Sequence, residues 1–169
     1  MTLIRRDADG AHLVADDPWR FVEDEAALPA SGDVVVTLER WRTEGPTLRR
    51  RAGRTGLRLP GQADPDVVAG ELEGISLVAV DFPKFTDGRG YSLARVLRER
   101  HRFAGELRAV GQVLRDQLFY LARCGFDAFE LAAGKDVDDA LAAFGDFSVT
   151  YQPAADGAAP IWRRRAGSA

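Results

Sequence analysis

Short apolar runs alternate with segments of helical periodicity along most of this chain, and this alternation constrains its fold more than any other feature. β-Branched and aliphatic residues dominate the runs, whereas the segments between them repeat apolar residues every three to four positions, so we predict strands alternating with helices. The predicted strands lie at residues 33–41, where a short helix can follow, and at 57–59, 75–80, 106–110, 126–131 and 148–151. Such an order predicts parallel strands joined by right-handed crossovers.

These elements predict a single α/β domain with a mostly parallel open sheet flanked by helices. A doubly wound sheet is the first choice, and a half-barrel of β/α units that is completed by dimerisation is the alternative, because periodicity does not distinguish the two. The predicted boundaries are a lead-in arm at residues 1–32, the α/β domain at residues 33–153 and a flexible tail at residues 154–169. Asp64 and Asp136 are expected to be N-caps, whereas Gly45-Pro46 is expected to break regular structure.

The composition argues against several classes of protein. A net charge of −3 does not favour nucleic-acid binding driven by phosphate neutralisation. One cysteine and two histidines argue against a disulfide framework, a metal site and an iron–sulfur cluster, so we expect no intrinsic cofactor. No apolar run is long enough to span a bilayer, and the first residues lack an apolar signal core. We therefore expect a cytoplasmic protein that does not associate with a membrane.

Arginine is concentrated at residues 40–58 and again at residues 163–165. A solvated surface, in a chain that uses arginine far more often than lysine, is the favoured interpretation. A docking face that attracts an acidic partner through its field is the alternative. The arginines of the first stretch are Arg40, Arg42, Arg49, Arg50, Arg51, Arg54 and Arg58.

The loop at residues 81–92 follows a strongly apolar predicted strand and precedes a predicted helix. Ligands of α/β proteins bind in such loops, at the carboxyl ends of strands. Backbone N–H groups freed by Gly88 and Gly90, beside the charges of Lys84 and Arg89, are typical of a site for sulfite, sulfate or a phosphate group. The two glycines are only a fragment of the dinucleotide fingerprint, since an apolar residue stands where the third glycine would be. A flavin or NAD(P) site is therefore the less favoured alternative.

A purely structural interpretation of this loop is a turn at Asp87-Gly88 followed by a helix that Ser92 caps. Arg115 and Asp116, near the start of the next predicted helix, could meet the loop across adjacent strand ends. A surface ion pair is the alternative, and for Asp116 it is the favoured one. The candidate residues for binding an anion or a partner are Asp81, Lys84, Phe85, Asp87, Gly88, Arg89, Gly90, Tyr91, Ser92, Arg115 and Asp116. No catalytic residue and no metal ligand is assigned.

Side chains around the loop carry further predictions. Phe82 is expected to be buried, whereas Phe85 is left open, because exposure would make it an anchor for a partner. Cys124 is expected in the core or just below the surface. Gln117 is expected to be buried and hydrogen-bonded rather than catalytic.

Three motifs carry a resemblance to a known family: DFPKFTDGRGYSLARVLRER at residues 81–100, GELRAVGQVLRDQL at 105–118 and RCGFDAFEL at 123–131. In this order they resemble a bacterial family, domain of unknown function family 934, that is commonly described as an oxidoreductase involved in sulfite reduction. Its members are usually encoded beside the haemoprotein subunit of assimilatory sulfite reductase. The resemblance carries over no catalytic residue.

The resemblance implies an accessory protein of assimilatory sulfite reduction, and so of sulfur assimilation and cysteine biosynthesis. Such a protein would act with the sulfite reductase haemoprotein or its electron donor. Two alternatives stay open, namely an oxidoreductase with a loosely bound flavin or nicotinamide cofactor and a module that binds a sulfur oxyanion or nucleotide. The expected partners are the haemoprotein or an acidic electron carrier, a small anion, and a second copy of the chain in a homodimer.

Overall fold

The computed structural model describes residues 2–166, which form one α/β unit around a single sheet of eight strands. The strands are β1 (Thr2–Asp7), β2 (Gly10–Val14), β3 (Trp19–Phe21), β4 (Asp33–Thr37), β5 (Thr55–Pro60), β6 (Ile75–Phe82), β7 (Glu106–Val113) and β8 (Ala128–Leu131). The helices are α1 (Leu38–Arg50), α2 (Pro65–Ala69), α3 (Arg89–Glu99), α4 (Leu118–Arg123), α5 (Val137–Ala142) and α6 (Ile161–Ala166). None of these helices is long and apolar enough to cross a membrane.

The sheet is open, mostly parallel and strongly curled, with the strand order β2-β1-β8-β7-β6-β5-β4-β3. Strands β3 to β8 run parallel in chain order, and β1 pairs antiparallel with both β8 and β2. This architecture confirms the predicted open sheet, and its curl makes it the half-barrel that was the alternative. Double winding is wrong for the described strands, because the parallel ones follow one another without the reversal that defines a switch point.

Side chains alternate between the two faces of the sheet, as the pleat requires. One face, with Leu57, Val80 and Phe129 among its members, joins the helices in the main core, where all three side chains are at most 1% exposed. The opposite face holds a smaller apolar cluster around Leu77 and Val110. Charged side chains of the central parallel strands lie on this second face, among them Arg58, Asp81 and Arg108.

Two predicted helix starts are confirmed. The Asp64 carboxylate accepts a hydrogen bond from the Asp66 N–H at 2.9 Å and caps α2, with Pro65 in the first turn. Asp136 caps α5 in the same way, accepting from the N–H groups of the second and third residues that follow it. A side-chain oxygen satisfies donors that the first turn leaves without a partner, so these two aspartates fix where the helices begin.

The predicted break at Gly45-Pro46 is wrong, because both residues lie inside α1. Proline removes a backbone hydrogen bond from a helix interior and is unfavourable there. Trp41 and Leu48, on either side of the proline, are 2% and 1% exposed. Burial of these two large side chains on the core outweighs the local preference and keeps α1 continuous.

The ends of the chain contain more regular structure than the sequence indicates. The predicted strand at residues 148–151 is wrong, since that segment lies outside the sheet and is held in part by the Ile161 N–H, which donates to the Thr150 carbonyl at 2.8 Å. Residues of the lead-in arm form β1, β2 and β3, and part of the tail forms α6. Met1 and residues 167–169 lie outside the described residues, and the domain boundaries stay a prediction.

Gly111 sits where β7 passes β6 at the carboxyl edge of the sheet, in register with Phe82. Its φ is +96°, and a Cβ built there would lie 2.7 Å from the Phe82 carbonyl oxygen. We expect Gly111→Ala to lower the free energy of unfolding by at least about 3 kcal/mol in urea denaturation, because backbone strain and a clash with rigid backbone add together. Gly134, with a φ of +77° and open space around the Cβ position, is the matched control. Gly134→Ala should cost only about 1 kcal/mol, and equal losses in the two variants would contradict the clash.

Candidate functional site

The loop between β6 and α3 contains most of the candidate residues. Phe82 at the end of β6 is 1% exposed, as predicted, whereas Phe85 in the loop is 60% exposed. Helix α3 begins at Arg89, so Ser92 lies within the helix and the prediction that it caps α3 is wrong. The N-cap position belongs to Gly88, which has no side chain, and the neighbouring Asp87 carboxylate accepts from the Arg89 N–H at 3.2 Å.

Asp87 and Arg89 neutralise each other. The Arg89 Nε donates to Asp87 Oδ1 at 2.9 Å and its Nη2 donates to Oδ2 at 2.6 Å. The Arg89 guanidinium and N–H group lower the pKa of Asp87 to about 2. A carboxylate of the chain itself therefore occupies the cationic group on which the anion-binding hypothesis depends. Lys84 is exposed, and its side chain makes no hydrogen bond or ion pair with the described residues.

Gln117 joins the loop to the neighbouring strand connection. Its Nε2 donates to the Phe85 carbonyl at 3.0 Å and to the Tyr91 hydroxyl at 3.1 Å, and its Oε1 accepts from the Leu114 N–H at 2.9 Å. The prediction that Gln117 is hydrogen-bonded is confirmed. Burial raises the pKa of Tyr91 and outweighs the opposing effect of the Gln117 hydrogen bond. This amide fixes the position of the loop while leaving the Phe85 ring in solvent.

Arg115 does not reach the loop, contrary to the expectation for this pair of residues. Its guanidinium pairs with Asp146 at 2.5 Å and with Asp139 at 3.3 Å, on the segments that follow β8. Asp116 is exposed and faces a groove beside α4. The Asp81 carboxylate lies apart from the rest of the loop, because it points to the face of the sheet opposite Phe82 and pairs with Arg58.

That groove is the main feature that the sequence analysis missed, and we call it the aromatic groove. It has a volume of about 470 Å³ and runs between α4 and the segment at residues 146–154. Four hydrophobic side chains at its rim are between 44% and 75% exposed: Tyr120, Phe147, Val149 and Tyr151. The Tyr120 ring lies 5.3 Å from the ring of Tyr91, which connects the groove to the loop.

The wall of the groove contains the only cysteine of the chain. Cys124 is 4% exposed, which confirms its predicted place in the core. Burial raises the pKa of its thiol, although a hydrogen bond from Tyr120 acts in the opposite direction. A buried thiol with a raised pKa is a poor nucleophile, so Cys124 contributes packing to the groove rather than reactivity. Within residues 2–166, no three His, Cys, Asp or Glu side chains are grouped so that they could hold a metal ion.

Most guanidinium groups of the arginines at residues 40–58 already have a partner within the chain. Arg40, Arg42, Arg54 and Arg58 pair with carboxylates, and Arg51 donates to the Gly32 carbonyl. Arg40 is itself buried at 6% exposure. These pairings favour the interpretation of this stretch as an ordinary solvated surface.

Comparison with known proteins places the chain in a family. Residues 56–162 match the family model described as "Bacterial protein of unknown function (DUF934)". The chain belongs to this family. The match contains both the loop and the aromatic groove, and the family description names no activity. No curated protein matches the chain.

Proposed function

We propose that this DUF934 protein is an accessory protein of assimilatory sulfite reduction. It docks on the sulfite reductase haemoprotein or on an acidic electron carrier through the aromatic groove and the adjoining loop. The resemblance found in the sequence supports the pathway. The observation that supports docking is the group of exposed rings of Tyr120, Phe147 and Tyr151 at the aromatic groove. Exposed Phe85 lies in the adjoining loop, which Gln117 and Tyr91 connect to the groove.

Exposed aromatic side chains in one patch are unusual on a monomer and are typical of protein interfaces. Tyr and Phe provide large contact areas at low conformational entropy cost, and such residues supply most of the binding energy of interfaces. Lys84 adds a positive charge next to Phe85 that no described residue neutralises. An acidic partner is therefore attracted to this side of the patch.

The contacts at the start of α3 favour docking over the two small-molecule alternatives. A flavin, a nicotinamide cofactor or a sulfur oxyanion at this loop would use the first N–H groups of α3 and the Arg89 guanidinium. The Asp87 carboxylate accepts from the Arg89 backbone N–H and from the Arg89 guanidinium. The Tyr91 N–H donates to the Gly88 carbonyl at 3.2 Å. An anionic ligand would have to displace this carboxylate before it could bind.

The test is sulfite reduction by the cognate haemoprotein with its natural electron donor, measured with and without the chain. We expect turnover to increase when the chain is present, and we expect an artificial dye donor to remove that dependence. Turnover that does not change with either donor would contradict the proposal.

Two substitutions at opposite ends of the surface test the site itself. Phe85→Ser combined with Tyr151→Ser removes rings that are 60% and 75% exposed, so the fold should be unaffected. We expect the stimulated turnover at limiting concentration to fall at least about tenfold, since one interface anchor is worth about 2 kcal/mol or more. Leu13→Ser is the matched control, because Leu13 is 51% exposed on β2 and does not line the groove. A double variant that stimulates as well as the control would exclude this surface.

A further inference from the structure

A second site lies at the carboxyl edge of the sheet and does not rest on the proposed function. Two adjoining cavities, of about 670 Å³ and 370 Å³, open where β4 to β7 end. Arg58, Pro60 and Asp81 line both cavities, so they form a single cleft, which we call the edge cleft. In parallel sheets and barrels, the carboxyl ends of strands are where ligands bind.

Arg58 and Asp81 lie side by side in the centre of the edge cleft, on neighbouring strands. Arg58 Nε donates to Asp81 Oδ2 at 2.7 Å, and Nη2 donates to Oδ1 at 3.1 Å. The two N–H groups on Arg58 Nη1 make no hydrogen bond with the described residues, and each carboxylate oxygen can accept further bonds. The Arg58 side chain is 40% exposed and that of Asp81 is 27% exposed. The pair therefore offers a donor and an acceptor next to each other to a third molecule.

The charge around the pair does not favour an anionic ligand. The larger cavity is lined by the carboxylates of Glu39, Asp64 and Asp81 and by the guanidiniums of Arg42 and Arg58. Arg42 is already paired with Glu71, at 3.0 Å. An anionic ligand would be repelled, because the cavity contains more carboxylates than unpaired cations. A neutral ligand would not be repelled by these charges.

Apart from Thr37 and Thr43, the remaining surface of the larger cavity is apolar. Leu38, Pro60, Ala63, Val67 and Val68 line it beside the ion pair. Cavities of several hundred Å³ with apolar walls and a few converging polar groups are typical of sites for small organic molecules. The shape and chemistry together suit a ring whose polar edge reaches the ion pair.

The wall of the edge cleft next to the loop is tightly packed and therefore preformed. A Cβ on Gly61 would lie 3.0 Å from the Gly90 nitrogen, and one on Gly90 would lie 2.7 Å from the Phe82 ring. Contacts this close leave the β5–α2 connection little freedom to move against α3. A rigid site of this kind reduces the entropy that a ligand must lose on binding.

We propose that the edge cleft binds a neutral heterocycle with an N–H next to a carbonyl group, as in the bases of uridine and inosine. The Asp81 carboxylate accepts from the ring N–H, the Arg58 Nη1 donates to the ring carbonyl oxygen, and the ring packs on the apolar wall. The site is separate from the aromatic groove and requires no sulfur chemistry.

Calorimetry and ligand-observed NMR on the full chain test this inference with uridine, inosine, 3-methyluridine, 1-methylinosine and benzoate. We expect saturable binding of uridine or inosine. Methylation of the ring nitrogen should weaken binding at least about tenfold, because the Asp81 carboxylate would lose its donor and meet a methyl group. Benzoate, which has a ring of similar size and a negative charge, should not bind. Equal binding of the methylated ligands, preferential binding of benzoate, or no saturable binding of either nucleoside up to about 10 mM would overturn the proposal.

Asp81→Asn removes the charge and one of the two acceptor oxygens, and Arg58 keeps the remaining oxygen, so uridine binding should weaken at least about tenfold. Asp33→Asn is the matched control, because Asp33 forms the equivalent ion pair with Arg54 at the other end of the sheet and does not line the cleft. Equal losses of affinity in both variants would place the ligand elsewhere. The test with methylated ligands uses the unaltered chain, so it decides the question even if a variant folds poorly.

Discussion

Arg108→Ala should lower the free energy of unfolding by about 3–5 kcal/mol, because it removes a buried guanidinium and leaves partly buried carboxylates without their cation. Arg108 is 1% exposed on β7, and its guanidinium donates to both oxygens of Asp17, at 2.6 and 3.0 Å, and to Glu106 at 2.8 Å. Glu106 also pairs with Arg5. The Glu130 carboxylate, on β8, is half-buried beside Arg108 and has no hydrogen bond or ion pair among the described residues. The arginine thus binds two acids on the second face of the sheet and attracts a third, Glu130.

The loss of stability should depend on pH. Burial raises the pKa of Glu130, while the attraction of Arg108 lowers it, so the substitution moves this pKa further up. A carboxyl whose folded pKa lies above its unfolded value opposes folding once the unfolded chain has lost the proton. This penalty is absent below the unfolded value, near pH 4, and grows as the pH rises towards the folded one. We therefore expect the deficit of Arg108→Ala in urea denaturation to be larger at pH 7 than near pH 4.

Arg42→Ala is the matched control for Arg108→Ala, since it removes a guanidinium from an ion pair whose arginine side chain is 46% exposed. Exposed pairs contribute at most about 1 kcal/mol. The assignment of a central role to Arg108 would be wrong if both substitutions cost the same, or if the deficit of Arg108→Ala grew towards low pH.

The sequence identified the repeating units of the fold but not the order in which they pack. β-Branched runs and capping aspartates are local signals, and they predicted most strands and both helix starts next to Asp64 and Asp136. Whether the sheet is doubly wound depends on which face each crossover covers, and periodicity contains no information about that. The β1–β2 hairpin did have a local signal. Asp7 and Gly10 pair across the two-residue loop Ala8-Asp9, and Gly10 closes the loop with a φ of +121°, which favours glycine.

The sequence located the candidate loop correctly but not its partners. The apolar run at residues 75–80 was enough to place the loop at the carboxyl edge of the sheet. The pairing of Asp87 with Arg89 depends on where α3 begins, and glycine at its N-cap position provides no capping side chain that would reveal it. Arg115 pairs with residues after β8 that are 24 and 31 positions away in the chain, a distance over which spacing has no predictive value.

The aromatic groove was missed because its sequence has the period of a strand. Phe147, Val149 and Tyr151 alternate with smaller residues, which is the usual signature of a half-buried strand. A further parallel strand would have to pair with the free edge of β8. That edge is taken by β1, which pairs with β8 from Thr2 to Arg5. The segment therefore packs along α4 instead, and its aromatic side chains remain exposed.

Arg98→Ala should lower the free energy of unfolding by about 3–4 kcal/mol, because one guanidinium ties together three parts of the chain. Arg98 lies near the end of α3 and is 17% exposed. Its Nη1 donates to the carbonyls of Phe103 and Gly105 at 2.5 and 2.7 Å, its Nε to the carbonyl of Gly125 at 2.9 Å, and its Nη2 to Asp127 at 2.7 Å. Alanine would leave three carbonyls and a carboxylate without this donor, and a buried polar group left unsatisfied costs about 1–3 kcal/mol.

Two further substitutions distinguish the effect of the four hydrogen bonds of Arg98 from the effect of its positive charge. Arg98→Lys keeps the charge, but a single ammonium group cannot reach all four acceptors, so we expect a loss intermediate between the unaltered chain and Arg98→Ala. Arg95→Ala, one turn earlier on the same helix, removes only an exposed pair with Glu99 and should cost less than about 0.5 kcal/mol. Hydrogen exchange should show the loss of Arg98 first at residues 103–107 and 125–127, where β7 and β8 begin. Full stability in Arg98→Lys would mean that the charge alone matters, and the three carbonyls would then find their partners in water.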